Sequence, residues 1–366
     1  MLRREYVLRC ILKKLEVVKT TMKKLLAILL VLVLAFSLVA CGDTAEDNTS
    51  DDSSDSGNST STDAVKVAVI PQYPPEEWAQ SILNGAKRAC EYYGFEYHDF
   101  DCNADLATQI SIIEDCITQG YTAIIFQACD GTSEDVVVDE GKDAGVIMID
   151  FDCLITINSE EKSNTDGSVK SDDTLGGATA CDLLCDAIGG EGTILILQEN
   201  PGVGSGVYRN NGFRAELEAK YPNVTLIQNR PQDTSRAGCQ TWVQDYLISN
   251  PEIVGVFCYF GDAAIGAYNG IMEAGRTDIK LVGYDATAEQ SEFMKADGAS
   301  CVEIASIALA PDLMGGGCVD LVNLILEGKY EKADESEINW LGNGLLTPDN
   351  AATYEEVKWE EPYFTA

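Results

Sequence analysis

Residues 65 to 94 read VKVAVIPQYPPEEWAQSILNGAKRACEYYG, an apolar, β-branched run followed by an amphipathic stretch. The run over 65 to 70 is typical of a buried strand. The apolar residues that follow recur at i, i+3 and i+4, and Gly94 stands where a helix C-cap belongs. The stretch therefore predicts a strand and then a helix whose buried face is formed by Ile82, Leu83, Ala86, Ala89, Cys90 and Tyr93.

The same unit recurs along the chain. Ile110, Ile113 and Ile117 repeat the helical spacing and stop at Gly120. Near-continuous apolar strands that alternate with helices predict parallel sheets covered on both faces. About 300 residues of such units exceed one comfortable core, so we expect two α/β lobes. The further strand candidates are residues 121 to 126, 145 to 150, 192 to 197, 223 to 227, 253 to 260 and 279 to 285.

Charge and histidine content exclude several classes of protein. The 366 residues include 25 Lys and Arg against 60 Asp and Glu, a formal net charge of -35. Such a polyanion repels nucleic-acid phosphates, so we expect no nucleic-acid partner. The single histidine, His98, leaves little for a catalytic triad or a catalytic zinc site. We therefore expect neither an enzyme nor a bound cofactor or metal.

The N-terminal residues indicate export. Residues 22 to 41 read MKKLLAILLVLVLAFSLVAC, with two lysines, an apolar run and a terminal cysteine. The run is shorter than the roughly 20 residues that span a bilayer, so residues 1 to 40 are predicted to be a signal peptide, with Met22 as an alternative start. The tetrad ending at Cys41 resembles a bacterial lipobox. We expect a lipid at Cys41 that anchors the protein to the outer face of the cell membrane.

A polar, acidic segment follows Cys41. Residues 42 to 63 read GDTAEDNTSDDSSDSGNSTSTD, which cannot bury a core, so residues 41 to 63 are predicted to be a lipidated, disordered tether. The eleven later cysteines are scattered singly along apolar segments and are predicted to be small buried hydrophobic residues. Free thiols in an exported protein favour an anaerobic host.

Seven segments follow one another along the chain: GAKRACEYYG, NADLATQISIIEDCITQGYTAIIFQACD, GVIMIDFD, SDDTLGGATACDLL, RNNGF, NPEIVGVFCYFGDAAIGA and LVGYDAT. This ordered series resembles the ribose- and galactose-type periplasmic binding proteins, the solute receptors of sugar ABC importers. The resemblance covers roughly residues 64 to 330. It implies two Rossmann-like lobes of the type I fold, joined by three crossover strands and closing on one small molecule. The lobes are expected at 64 to 170 plus 307 to 337 and at 171 to 306 plus 338 to 366.

The resemblance also implies a binding site. Trp78 matches the aromatic residue that stacks on the sugar ring, Asp150 and Asp285 match the carboxylates that accept hydroxyl hydrogen bonds, and Arg209 matches the donating guanidinium. Sugars suit such a site because their C–H faces pack on aromatic rings and their hydroxyls bond to charged groups.

Other predicted site residues depart from the family pattern or follow strand ends. Phe151, Phe260 and Thr234 replace an Arg, an Asn and an aromatic residue of the family, which makes ribose itself doubtful as the ligand. Loops after the strands add Gln72, Asp152 and Asp262 to the expected cleft.

These observations predict a lipid-anchored, extracytoplasmic and monomeric receptor. It would capture a sugar or sugar-like solute and present its closed form to an ABC permease. One alternative is a sensor that feeds a membrane kinase or chemoreceptor. Another is a receptor for an amine-containing solute, held by cation–π contact with Trp78, Phe151 and Phe260.

Overall fold

The computed structural model describes residues 64–153, 155, 162–198, 204–331 and 336–365. The predicted signal peptide, the lipid site at Cys41 and the tether lie outside these residues. Thr62–Ala366 form one compact unit of the chain. A helix with the length and apolarity of a membrane span is absent from the described ranges.

The first lobe is built on a sheet that, within the described residues, has seven strands in the order β2-β1-β3-β4-β6-β12-β5. Neighbouring strands are parallel, except that the two-residue β5 is antiparallel to β12. The strands are β1 (Lys66–Ile70), β2 (Glu96–Asp99), β3 (Ala123–Phe126), β4 (Ile147–Phe151), β5 (Lys162–Ser163), β6 (Gly167–Ser171) and β12 (Ser336–Leu341). The helices are α1 (Glu77–Tyr93), α2 (Leu106–Thr118), α3 (Asp135–Asp143) and α9 (Pro311–Leu326).

The second lobe has a sheet of six described strands in the order β13-β11-β10-β9-β7-β8, of which β13 alone is antiparallel to its neighbour. The strands are β7 (Gly192–Leu197), β8 (Val224–Asn229), β9 (Ile253–Phe257), β10 (Lys280–Tyr284), β11 (Glu303–Ala308) and β13 (Gly344–Leu346). The helices are α4 (Asp173–Ala187), α5 (Gly204–Lys220), α6 (Arg236–Ser249), α7 (Gly261–Glu273) and α8 (Ala288–Asp297).

Both faces of the first sheet are buried. Val67 and Val69 of β1 lie in one hydrophobic cluster, whereas Ala68 and Ile70 lie in another, because alternate residues of a strand point to opposite faces. In the second lobe the rings of Phe213 and Phe257 stack with centroids 4.7 Å apart. The predicted α/β fold of two covered, mostly parallel sheets is confirmed.

Within the described residues, three connections between strands and helices pass from one lobe to the other before β13, after which the chain returns to the first lobe. They lie at the end of β6, between β11 and α9, and between β12 and β13. The expected lobe boundaries are displaced from these points by one to four residues. The boundary after residue 337 is wrong because β12 continues to Leu341, pairing with Ser171 of β6, and the boundary after 306 falls inside β11.

The C-terminal residues 355–365, which we call the C-terminal strap, return to the first lobe. Trp359 is buried in the first-lobe core, and its indole N–H donates to Asp320 Oδ2 of α9 at 3.1 Å. The backbone amides of Tyr363 and Phe364 donate to the same oxygen. The expectation that the strap belongs to the second lobe is therefore wrong.

The eleven cysteines within the described residues are unpaired, and all but the half-buried Cys129 are buried. This matches their interpretation as small core residues. The closest sulfur atoms belong to Cys181 and Cys185, 3.8 Å apart, and to Cys102 and Cys129, 3.9 Å apart. Burial raises the pKa of the Cys116 and Cys301 thiols to about 11, so these thiols stay protonated at neutral pH.

Buried carboxyl groups should make the protein more stable at pH 6 than at pH 8. Burial raises the pKa of Glu134 and of Glu303 to about 8, well above their ordinary value. The folded protein therefore holds protons that the unfolded chain releases, and stability is lost as the pH rises through about 8. We expect a higher melting temperature at pH 6 than at pH 8 in differential scanning calorimetry. The Glu303→Gln variant should show a smaller difference, and a melting temperature that rises with pH would contradict this reasoning.

Candidate ligand-binding site

A cleft of about 690 Å³ lies between the lobes, at the carboxyl ends of strands from both sheets. In doubly wound α/β sheets this edge is where ligands bind. The structure brings eight of the ten predicted ligand residues to the cleft: Gln72, Trp78, Asp152, Arg209, Thr234, Phe260, Asp262 and Asp285.

Asp150, one of the two predicted hydroxyl acceptors, does not line the cleft. It is fully buried, and its carboxylate accepts hydrogen bonds from the Ile155 amide at 2.8 Å, from the Thr165 hydroxyl at 3.0 Å and from the Ser163 hydroxyl. The acceptors of Asp150 are thus occupied by the segment that follows β4. Asp152, two residues later, lies in the cleft instead.

Phe151 does not line the cleft either. Its side chain is fully buried in the first-lobe core, with its ring centroid 6.3 Å from that of Trp78. The Phe151 ring therefore packs near Trp78 from the side of the first-lobe core. Trp78 itself is partly buried and packs against the cores of both lobes.

The central cation of the cleft is Arg209 of α5, which is 4% exposed. Its Nε is 2.7 Å from Asp173 Oδ1, its Nη1 donates to the Tyr259 carbonyl at 2.8 Å, and its guanidinium lies 4.2 Å from the centre of the Tyr284 ring. The surrounding carboxylates raise its pKa above the ordinary value despite burial. Arg209 is therefore a fixed positive charge.

Two carboxylates, one from each lobe, flank Arg209 without bonding to it. Asp152 Oδ1 is 3.8 Å from Nη2, and Asp285 Oδ1 is 3.9 Å from Nη1, both too long for hydrogen bonds. Asp152 Oδ1 is buried and has no hydrogen-bond partner. These oxygens are acceptors that a ligand could engage from both lobes at once.

The other oxygens of the two carboxylates are held in place. Asp152 Oδ2 accepts from Gln127 Nε2 at 2.9 Å, and Asp285 Oδ2 accepts from the Gly261 amide at 2.7 Å. Burial raises the pKa of Asp285 to about 6, although Arg209 opposes the shift. Both residues have left-handed backbones, with φ of 54° at Asp152 and 77° at Asp285. Strained non-glycine backbones of this kind concentrate at ligand sites.

Lys170 and Asp173, which sequence reasoning missed, support the cleft from below. The Lys170 ammonium is 2.8 Å from Asp173 Oδ2 and donates to the Asp152 carbonyl at 2.9 Å. Both residues are buried beside the first crossover. Helix α4 also positions Arg209 through Gly177, where an added Cβ would overlap the Arg209 carbonyl oxygen.

The rim of the cleft is polar and partly bonded already. Arg236 is 2.7 Å from both Asp262 and Glu289, so the predicted ligand residue Asp262 already has an ionic partner. The backbone N–H of Gln72 donates to Gln127 Oε1 at 3.1 Å, which links Gln72 to the residue that holds Asp152. Thr234 and Phe260 are half-buried parts of the wall.

A second cavity of about 590 Å³ shares Trp78 and Asp285 with the cleft. It lies between the start of α8 and the C-terminal strap. At the edge of this cavity a hydrogen bond joins the two lobes: Glu77 Oε1 of the first lobe accepts from the backbone amide of Ala288 of the second at 3.2 Å. This hydrogen bond joins the first turn of α1 to the first turn of α8.

Comparison with known proteins gives a consistent result. The model of the family described as periplasmic binding protein domain matches residues 67–330. The ribose import binding protein of Salmonella typhimurium is 24% identical over 278 residues, which cover 76% of this chain and 90% of that protein. The ribose import binding protein of Bacillus subtilis is 26% identical over 249 residues, covering 68% and 77%.

Solved structures show the same fold. A carbohydrate transporter solute binding protein from Agrobacterium radiobacter, solved in complex with D-arabinose, superposes with a TM-score of 0.71 at 24% identity. The match covers 80% of this chain and 97% of that one. At 24% sequence identity, the structural similarity shows that the two proteins share a fold.

Proposed function

Because the chain belongs to the family of periplasmic binding protein domains, we propose that it is the extracytoplasmic receptor of an ABC import system and binds a sugar or sugar-like solute. The observation that carries this proposal is a pair of carboxylate oxygens, from Asp152 and Asp285, that lie 3.8 and 3.9 Å from the Arg209 guanidinium without bonding to it. The ribose import proteins named above add support, because this chain covers most of the length of each.

The chemistry of the cleft suits a polyhydroxylated molecule. Asp152 and Asp285 offer acceptors to hydroxyl groups, and the guanidinium of Arg209 offers donors. Hydrogen bonds to charged groups contribute about 1.5 to 3 kcal/mol each, so a few of them suffice for micromolar binding. Trp78 and Phe260 offer aromatic surface to the C–H face of a sugar.

Transport requires no covalent step in this proposal. A solute that bonds to Asp152 of the first lobe and Asp285 of the second has its full set of contacts only when the lobes are closed. Binding therefore shifts the population toward the closed form, which the permease recognises. A lipid at Cys41 would keep the monomeric receptor beside the permease, on the outer face of the membrane.

A thermal-shift screen of the purified protein tests the proposal. The panel comprises pentoses, hexoses, polyols, disaccharides and amino sugars. A ligand at 100 times its dissociation constant adds about 2.7 kcal/mol to the stability of the folded state, or roughly 5 °C in melting temperature. At least one sugar should produce such a shift.

Variants test whether a ligand that raises the melting temperature binds in the cleft. For the sugar found in the screen, Asp152→Ala should reduce the affinity about 10- to 100-fold in calorimetry, since one charged hydrogen-bond partner is lost. Asp182→Ala, which removes a surface partner of Lys220, is the matched control and should bind normally. A panel without any binder would refute the sugar-receptor function.

A further inference from the structure

The buried floor of the cleft carries more negative than positive charge. Among the described residues at this floor, two cations, Lys170 and Arg209, face three carboxylates, Asp152, Asp173 and Asp285. All of these side chains are at most 15% exposed. A buried charge without a counter-charge is costly, and within this described group one negative charge has no counter-charge.

The distances between these groups show which carboxylates lack a close counter-charge. Both cations pair closely with Asp173, Arg209 at 2.7 Å and Lys170 at 2.8 Å. Asp152 Oδ1 and Asp285 Oδ1 are left at 3.8 and 3.9 Å from the guanidinium. The unbalanced charge is thus shared between Asp152 and Asp285, which line the cleft from opposite lobes.

The walls of the cleft extend the same imbalance. Of the charged side chains that line it in the described structure, five are acidic, namely Glu76, Glu77, Asp152, Asp262 and Asp285, and three are arginines, namely Arg209, Arg230 and Arg236. Burial, followed by the nearby charges of Asp262 and Asp285, raises the pKa of Glu76 to about 7. Aromatic rings of Tyr73, Trp78, Tyr259 and Phe260 line the same space.

We propose that the solute is an amino sugar, whose protonated amine lies between Asp152 and Asp285. This inference rests on the proposed sugar-receptor function and specifies its ligand class. A neutral hydroxyl satisfies the hydrogen bonding of a carboxylate but leaves the net charge in place. An ammonium group supplies three donors together with the missing positive charge, and aromatic faces attract it further.

Calorimetry with matched pairs of ligands tests the inference on the wild-type protein. The pairs are glucosamine with glucose, galactosamine with galactose and mannosamine with mannose, and the N-acetylated forms provide uncharged amides of similar shape. At least one amino sugar should bind about 10-fold or more tightly than both its neutral partner and its acetylated form.

The possible results of these titrations distinguish a failure of the amino-sugar inference from a failure of the proposed sugar-receptor function. Neutral sugars that bind as tightly as their amino partners would overturn the amine inference and leave the sugar receptor intact. A protein that binds no sugar of either kind would overturn both. Because these measurements use the wild-type protein, they do not depend on any variant folding.

The Asp285→Asn variant tests the position of the amine. The amide oxygen can still accept from the Gly261 amide, while the negative charge is removed. Both ligands should bind more weakly, but the preference for the amino sugar over its neutral partner should fall about 10-fold, because only the amino sugar also loses an ion pair. Asp278→Asn, at a surface pair with Arg276, is the control and should keep the full preference. An unchanged preference in Asp285→Asn would contradict the placement.

Discussion

The Arg209→Ala variant should lose about 100-fold or more in affinity for the bound solute and about 3 to 5 kcal/mol of folding stability. The wild-type guanidinium is buried, bonded to Asp173 and to the Tyr259 carbonyl, and flanked by Asp152 and Asp285. Its removal leaves three carboxylates close together in a buried site. Lys170 alone then opposes them, so repulsion adds to the loss of the ligand's donors.

Two further variants separate the charge of Arg209 from its shape. Arg209→Lys keeps the charge but loses the planar fork that reaches Asp173 and Tyr259 together, so we expect intermediate stability and weak binding. Arg214→Ala lies on the same helix and removes hydrogen bonds to Gln228 and Asn211, away from the cleft. It should bind normally.

Urea denaturation and calorimetry with the sugar found in the thermal-shift screen provide the two measurements. If Arg209→Ala kept the wild-type affinity, the solute would have to bind elsewhere than in this cleft. If its stability matched that of Arg214→Ala, the carboxylates would not be held together by Arg209.

The apolar strands of both sheets could be predicted from the sequence, whereas the polar ones could not. Runs such as residues 192 to 197 show buried strands directly, since burial on both faces requires continuous apolar residues. β6 reads GSVKS and is fully buried, because its lysine finds Asp173 and the Asp152 carbonyl in the folded protein. From the sequence alone, a lysine in a polar stretch is expected to be exposed to solvent. The buried partners of Lys170 become evident only in the folded structure.

The site shows the same limit at the level of single residues. Asp150 and Asp152 are two residues apart, and residue type does not indicate which carboxylate reaches the cleft. The left-handed backbone at Asp152 and the hydrogen bonds that enclose Asp150 decide it, and both depend on the segment after β4. Arg209 and Asp285 do line the cleft, because they belong to a motif and a strand end that the fold brings to one edge.

The packing of the C-terminal strap on the first lobe could not be predicted from the sequence pattern either. Residues 355 to 365 read EEVKWEEPYFT, which resembles an acidic tail. The strap is attached to the first lobe through buried Trp359 and through carboxylates of α9, a helix distant in sequence. Asp320 and Asp312 of α9 accept hydrogen bonds from the strap, which includes the Trp359 backbone amide at 2.8 Å from Asp312 Oδ1. Trp359 is thus a buried, hydrogen-bonded anchor in a segment whose other residues are exposed or half-buried.

Trp359→Ala should cost about 3 to 5 kcal/mol of folding stability, the usual loss for a large buried aromatic residue. The Trp359 side chain is 2% exposed, packs on Gly316 where any Cβ would overlap its ring, and meets the Tyr92 ring edge-on at 5.6 Å. Its loss leaves a cavity and removes the indole donor from Asp320, whose burial then has less compensation.

The Trp340→Ala variant is the matched control, since Trp340 on β12 is 48% exposed and its removal opens no cavity. Urea denaturation of both variants gives the comparison, with a change of less than about 1 kcal/mol expected for Trp340→Ala. Equal losses in the two variants would mean that the strap is not part of the cooperative core. A large loss for Trp359→Ala alone would mean that the first lobe needs the last residues of the chain to complete its core, so that truncation before residue 355 should destabilise the receptor to a similar extent.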